Sequence, residues 1–150
     1  MKIALAADHA GFELKQRLAA VLEGDGHDVV DLGTDSADSV DYPLYARPAA
    51  ELVGGGEAER GVIVCGSGVG VSIVANKVAG VRAVNAHDAQ EAEMSRRHND
   101  ANVVTLSGAR RSPEEAGAIV RAFLATPFDG GRHERRVNQI ETRLSSKDSA

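Results

Sequence analysis

The chain has 150 residues, 43% of them hydrophobic, 26% charged and only 3% aromatic, enough for one domain with an aliphatic core. Seventeen Lys and Arg against 22 Asp and Glu give a net charge of −5, which opposes nonspecific attraction to nucleic acid or to an anionic membrane. A single Cys excludes an internal disulfide, and no apolar run nears the roughly 20 residues that span a bilayer, so a reducing, cytoplasmic location is expected.

In chain order, Lys2–Ala7 predicts a short apolar strand. Phe12, Leu14, Leu18, Val21 and Leu22 then recur at helical spacing until Gly24 and Gly26 stop the pattern. His27–Leu32 predicts a second strand, Gly33–Asp41 a polar loop, and Pro43–Val53 a helix entered at proline and ended by three glycines. Val62–Cys65, Val81–Ala86 and Asn102–Leu106 predict three more strands, separated by helices over Val71–Val78 and Asp88–His98, with Asp88 and Glu91 as a capping pair. Ser112-Pro113-Glu114-Glu115 is a capping box with proline in the first turn, so a helix runs from there to about Thr126. A last helix is expected from Arg132 to about Leu144, with Val137, Ile140 and Leu144 on one side, followed by a frayed tail over 145–150.

Five near-continuous apolar strands alternating with helices imply a parallel sheet covered on both faces: a Rossmann-like, three-layer αβα sandwich, a single domain over 1–150. Ligands on such sheets bind beyond the carboxyl ends of the strands. Those ends carry Asp8-His9, Cys65-Gly66-Ser67, Asn85-Ala86-His87 and the loop after Leu106.

Gly66-Ser67-Gly68-Val69-Gly70 lets backbone amides converge into a concavity, and the following helix adds partial positive charge, an arrangement suited to an oxyanion or phosphate. A tight strand-to-helix turn with no ligand is the competing reading. Val71 stands where a dinucleotide fingerprint needs its third glycine, and Lys77 comes too late for a Walker A lysine. Cys65 precedes the turn, where helix amides would favour a thiolate; free cysteine is also among the residue types most often simply buried. Asp8 is either a helix cap or a functional acid, whereas His9 has less structural reason to be there. His98 can act as a general acid or base, or complement a helix C-terminus. Arg132 and Arg136, four apart, share one helix face and could clamp a phosphate, although arginine-rich helices are commonly just solvated. Zinc-type Cys/His spacing and a Ser-His-Asp order are both missing from the sequence.

Taken together, Asp8-His9-Ala10-Gly11, Asp41-Tyr42-Pro43, Cys65 to Gly70 with Ala75-Asn76-Lys77, His98 to Val103, and Gly130-Gly131-Arg132-His133 through Arg136-Val137 resemble the ribose-5-phosphate isomerase B family. That family lies within the sugar-phosphate isomerases that include the allose- and galactose-6-phosphate enzymes, and the match covers nearly the whole chain. The resemblance implies a homodimer or dimer of dimers with shared active sites, no metal and no organic cofactor. It implies aldose–ketose interconversion of D-ribose 5-phosphate and D-ribulose 5-phosphate through an enediol, with Cys65 as the base, His98 and Asp8 opening the sugar ring, and Ser67 with Gly66, Gly68 and Gly70 holding the enediolate oxygen. His9, Arg132 and Arg136 would grip the phosphate, and Tyr42 and Asn99 would line the sugar. Val71 occupies the place where one branch of the family carries a glutamate base. The run Val104 to Arg110 is one residue longer than usual, which leaves Arg110 and Arg111 as alternatives for a phosphate contact. A tetrose or hexose phosphate substrate, or a noncatalytic sugar-phosphate sensor, are the rival readings.

Overall fold

The computed structural model describes residues 1–141. Its elements are β1 (Lys2–Ala7), α1 (Phe12–Gly24), β2 (Asp28–Asp31), α2 (Pro43–Gly54), β3 (Arg60–Cys65), α3 (Val69–Asn76), β4 (Ala83–Asn85), α4 (Ala89–Asn99), β5 (Val103–Ser107), α5 (Pro113–Ala125) and α6 (Arg132–Val137). The sheet is parallel throughout, in the order β2-β1-β3-β5-β4. This is the expected three-layer αβα architecture with a five-stranded parallel sheet.

Pleating sends alternate residues to opposite faces, and both faces are covered. Ile3, Leu5, Val62, Val64 and Leu106 pack with Leu14 and Leu18 of α1, Ala92 of α4 and Ile119 and Phe123 of α5. On the other face Ala4, Ala6, Ile63 and Cys65 meet Ala46, Ala49 and Ala50 of α2 and Val71, Val74 and Ala75 of α3. The alanine stripe of α2 has so little side chain that the helix can lie close to the sheet. Cys65 therefore ends its strand on the α2/α3 face.

The strand order changes direction at β1: β2 is added on one side of it and β3 on the other, so the switch point lies between β1 and β3. A crevice opens at such a switch point, beyond the carboxyl ends of the two strands. Asp8 and Cys65, the residues at those two ends, are thereby brought to the same edge.

Helix starts follow their caps. Ser112 and Glu115 form the reciprocal capping box of α5. Asp88 accepts from the Glu91 N–H at 2.8 Å, but the Glu91 carboxylate reaches one residue further back, to the His87 N–H at 2.7 Å. Several boundaries shift by a residue or two from expectation, and three differences have a clear cause. Helix α3 begins at Val69 rather than Val71, because left-handed Gly68 (φ 76°) already serves as its cap. Strand β4 is three residues, since Val81 and Arg82 remain in the preceding turn. The last helix stops at Val137, not near Leu144: α6 buries none of its residues and Ile140 is 57% exposed, so no packed apolar face prolongs it. Leu144 and the tail expected to fray lie outside the described residues.

Candidate active site

The turn after β3 is built by its neighbours. Its three carbonyls are taken by side chains from β4 and β5: Ser107 Oγ donates to the Gly66 carbonyl at 2.5 Å, Asn85 Nδ2 to Ser67 at 3.4 Å and Thr105 Oγ1 to Gly68 at 2.8 Å. With the carbonyls drawn toward β4 and β5, the turn is held in one conformation and Gly68 N–H donates to Cys65 Sγ at 3.1 Å. Cys65 is 4% exposed, so its sulfur sits beneath the turn, in contact with a helix-start amide. Ser67 is exposed at the rim, its Oγ accepting from the Val69 N–H at 3.1 Å.

Only glycine fits two positions of this turn. A Cβ on Gly68 would come within 2.5 Å of Asn85 Oδ1 and 2.9 Å of the Leu106 backbone, and one on Gly70 would meet the Tyr42 ring at 2.8 Å. The second contact places Tyr42 flat against the start of α3, which is how the loop before α2 joins the site.

Asp8 is buried, its Oδ1 accepting from the Gly11 N–H at 3.1 Å. One reading expected it to cap α1, but it holds the turn that precedes the helix: the cap position is Gly11, which has no side-chain cap bond. His9 is half-buried with Nδ1 against the Val40 backbone: N–H at 3.1 Å, carbonyl at 3.2 Å. Acceptance from the Val40 N–H puts the ring proton on Nε2, pointing away from the loop.

A second cluster forms where α4 ends. His98 is half-buried and stacks on His133, ring centroids 4.3 Å apart and planes inclined by 12°. Arg97 Nε and the Arg97 carbonyl both engage Asp129, at 3.3 and 3.0 Å, so the segment carrying Arg132, His133 and Arg136 is tied to the end of α4. Arg132 and Arg136 are exposed on α6. His133 titrates below the ordinary histidine value of 6.5, chiefly because its ring is desolvated and then because His98, Arg132 and Arg136 repel a further positive charge. A groove of about 390 Å³ runs beside His98 and Asn99 past Asn85, which borders the Gly68 turn. The groove runs the length of α4, with Asn85 at one end and His98 at the other: His98 leads into the start of β5, whereas Asp8 and Cys65 stand at the carboxyl ends of their strands, so a single chain does not bring the His98 cluster beside the Cys65 turn. Of the alternative arginines, Arg111 is committed to the His87 carbonyl at 3.1 Å, while Arg110 is exposed.

The apposition of His98 and His133 gives a direct test. Replacing His98 by Asn removes one repelling charge, so the His133 midpoint is expected to rise toward 6.5 in an NMR titration of the imidazole nitrogens. An unmoved or lowered midpoint would show that the two rings are not electrostatically coupled.

Among the described residues, His98, Asp129 and His133 bring ligand-type atoms within 4.8 Å of one another. Parallel rings, however, send their in-plane lone pairs along parallel sheets, and one ion cannot lie in both.

Sequence reasoning did not anticipate Asn85, Thr105 and Ser107 as turn supports or His133 as the partner of His98. The signal for two of them was present: hydroxyls in an otherwise aliphatic strand, at alternate positions on one face. For His133 there was none, because the stack depends on how α6 folds back on α4.

A strand-end acid and a thiol under a glycine turn make a candidate small-molecule site at the carboxyl edge of the sheet, and a separate imidazole–arginine cluster stands at the end of α4. A family model described as Ribose/Galactose Isomerase matches residues 3–140. The ribose-5-phosphate isomerase B of Escherichia coli is 46% identical over 139 residues, covering 93% of each chain. A crystal structure of a ribose 5-phosphate isomerase from Thermotoga maritima superposes with a TM-score of 0.91 at 47% identity, covering 93% of this chain and 97% of that one. The ribose-5-phosphate isomerase B of Mycoplasma genitalium with bound ribulose-5-phosphate superposes with a TM-score of 0.89 at 38% identity, covering 93% of both. The chain belongs to the ribose/galactose isomerase family, and by that membership it is a sugar aldose–ketose isomerase. Among the described residues no helix is long and apolar enough to cross a membrane.

Proposed function

We propose that this enzyme interconverts D-ribose 5-phosphate and D-ribulose 5-phosphate, with Cys65 as the base. The observation that carries this reading is the Gly68 N–H on Cys65 Sγ, at the mouth of a turn whose carbonyls are all tied back. Proton abstraction beside a carbonyl needs a base, a place for the enediolate oxygen and a proton carrier. The thiolate takes the C2 proton of the open-chain aldose and the electron pair moves to the C1 oxygen as the enediolate; the O2 proton then passes to O1, and the thiol returns its proton to C1 as the C2 carbonyl forms, which gives the ketose and restores the thiolate. Turn amides and the Ser67 hydroxyl stabilise the enediolate. His98 and Asp8 exchange protons with the ring oxygen and the C1 hydroxyl during ring opening. Tyr42 and Asn99 line the sugar, and His9, Arg132 and Arg136 bind the phosphate, whose remote binding energy orients the reacting carbons. His9, with its Nε2 proton directed outward, and the exposed guanidinium groups suit that anion. The 46% identity to an enzyme named for ribose 5-phosphate supports the pentose over a tetrose or hexose.

Exposed apolar side chains surround the turn cluster: Val69 at 50%, Ile73 at 55% and Leu44 at 69%. We read them as the seat of a second copy, which would let two chains share each site; a species of 15.7 kDa in sedimentation equilibrium would remove that part. The site needs no cofactor for this chemistry, and a cytoplasmic location goes with the reading.

A panel of four-, five- and six-carbon aldose phosphates tests the assignment. The largest kcat/KM is expected for D-ribose 5-phosphate. A higher value for a tetrose or hexose phosphate would move the substrate within the family, and no turnover of any sugar phosphate would favour a sensor.

A further inference from the structure

We propose that the ion pair between the buried Lys15 and the exposed Asp31 is a positioning device for His9, acting through the loop 33–41; the proposal rests on the reading of His9 as a phosphate ligand. Lys15 lies in the second turn of α1 and is 1% exposed, a burial that lysine rarely accepts without a partner. Its Nζ donates to Asp31 Oδ2 at 2.6 Å and to Gln16 Oε1 at 3.1 Å, and stands 5.6 Å from the centre of the Phe12 ring.

Asp31 ends β2 and has two occupations. While Oδ2 holds Lys15, Oδ1 accepts from the Gly33 N–H at 2.9 Å. Gly33 then docks on β1, its carbonyl accepting from the Ala7 N–H at 2.7 Å, and Thr34 N–H donates to the Ala7 carbonyl at 2.7 Å. The loop therefore leaves the sheet directly beside Asp8. Its far end returns to put the Val40 N–H on His9 Nδ1, and Tyr42 follows against Gly70. Lys15 is tied to the same corner from within α1, its N–H donating to the Gly11 carbonyl at 2.9 Å, while Gly11 N–H donates to Asp8. The pair thus pins the departure of a loop whose return fixes the His9 tautomer and orientation. An isolated surface pair would contribute little, but here a buried ammonium fixes a carboxylate whose other oxygen holds the loop backbone.

Lys15→Met keeps the length and apolar stem of the side chain, and replacement of a buried ion by a hydrophobic residue of similar volume is often tolerated. In this variant amide exchange of Gly33 and Val40 is expected to quicken at least about tenfold, with the central β-strands unchanged. For D-ribose 5-phosphate, KM is expected to rise roughly tenfold with kcat held within about twofold, the signature of lost binding rather than lost chemistry. Lys15→Arg, which keeps the charge, is expected to restore both readouts most of the way. Should Lys15→Met not fold, the double variant Lys15→Met with Asp31→Asn, which leaves no charge unpaired, is read in its place. Unaltered exchange at Val40, an unaltered KM, a fall in kcat alone, or failure of both variants to fold would each overturn the proposal. If the unmodified enzyme ignores ribose 5-phosphate, the substrate assignment fails, and Val40 exchange still decides whether the pair pins the loop.

Discussion

Cys65→Ala is expected to fold and to bind sugar phosphate but to lose turnover by on the order of 10²–10⁴-fold, the usual contribution of a positioned base. The side chain is small and its loss leaves only a slight cavity, so the stability cost is about 1 kcal/mol. KM is expected to change little, because the phosphate and sugar contacts assigned to His9, Arg132, Arg136, Tyr42 and Asn99 do not involve the thiol. Cys65→Ser keeps the shape and is expected to be almost as poor, since a hydroxyl is a far weaker acid than a thiol and yields little alkoxide at neutral pH. Single-turnover measurement of deuterium loss from C2 of the substrate separates this outcome from slow product release. Turnover of Cys65→Ala within tenfold of the unmodified enzyme would exclude the thiol as base and shift attention to Asp8, which ends the neighbouring strand at the same edge of the sheet.

Gly68→Ala is expected to damage both stability and activity, out of proportion to the addition of one methyl group. The residue sits at φ 76°, where a side chain costs about 1–2 kcal/mol, and its Cβ would meet Asn85 Oδ1 at 2.5 Å and the Leu106 backbone at 2.9 Å. Asn85 can swing aside, but the β5 backbone cannot, so the turn itself must shift. A total loss of roughly 2–4 kcal/mol follows, measurable by urea unfolding. Shifting the turn moves the N–H on Cys65 and misplaces the amides aimed at the enediolate, so kcat is expected to fall on the order of a hundredfold. Gly66→Ala is the control: its Cβ would touch only Ala10 at an ordinary 3.5 Å, and the variant is expected to stay within about 1 kcal/mol of the unmodified protein. Equal behaviour of the two variants would mean that the turn tolerates displacement and that its geometry does not carry the chemistry.

These two expectations draw on different kinds of knowledge. The position of Cys65 at a strand end before a glycine turn was legible in the sequence, because an aliphatic run followed by Gly-Ser-Gly has few other foldings. The alternation of strands and helices, and with it the three layers, came from the same local signals: periodicity, the Ser112 capping box and the proline at the start of α2. Their limits are equally local. Nothing near Arg132 says that α6 stops at Val137, since a helix with a plausible apolar stripe ends where nothing packs on that stripe.

What the amino-acid sequence determined by itself was which residues could do chemistry and which strand or turn each occupies, since hydrophobic period and turn residues act over a few positions. Only the tertiary structure decided who holds whom: the carbonyls of the turn drawn to Asn85, Thr105 and Ser107, His98 laid on His133, and Lys15 reaching Asp31 to set the loop on His9. Those contacts join residues 16 to 41 positions apart through the order in which the strands pair, and that order is settled by the packing of whole layers rather than by any local signal.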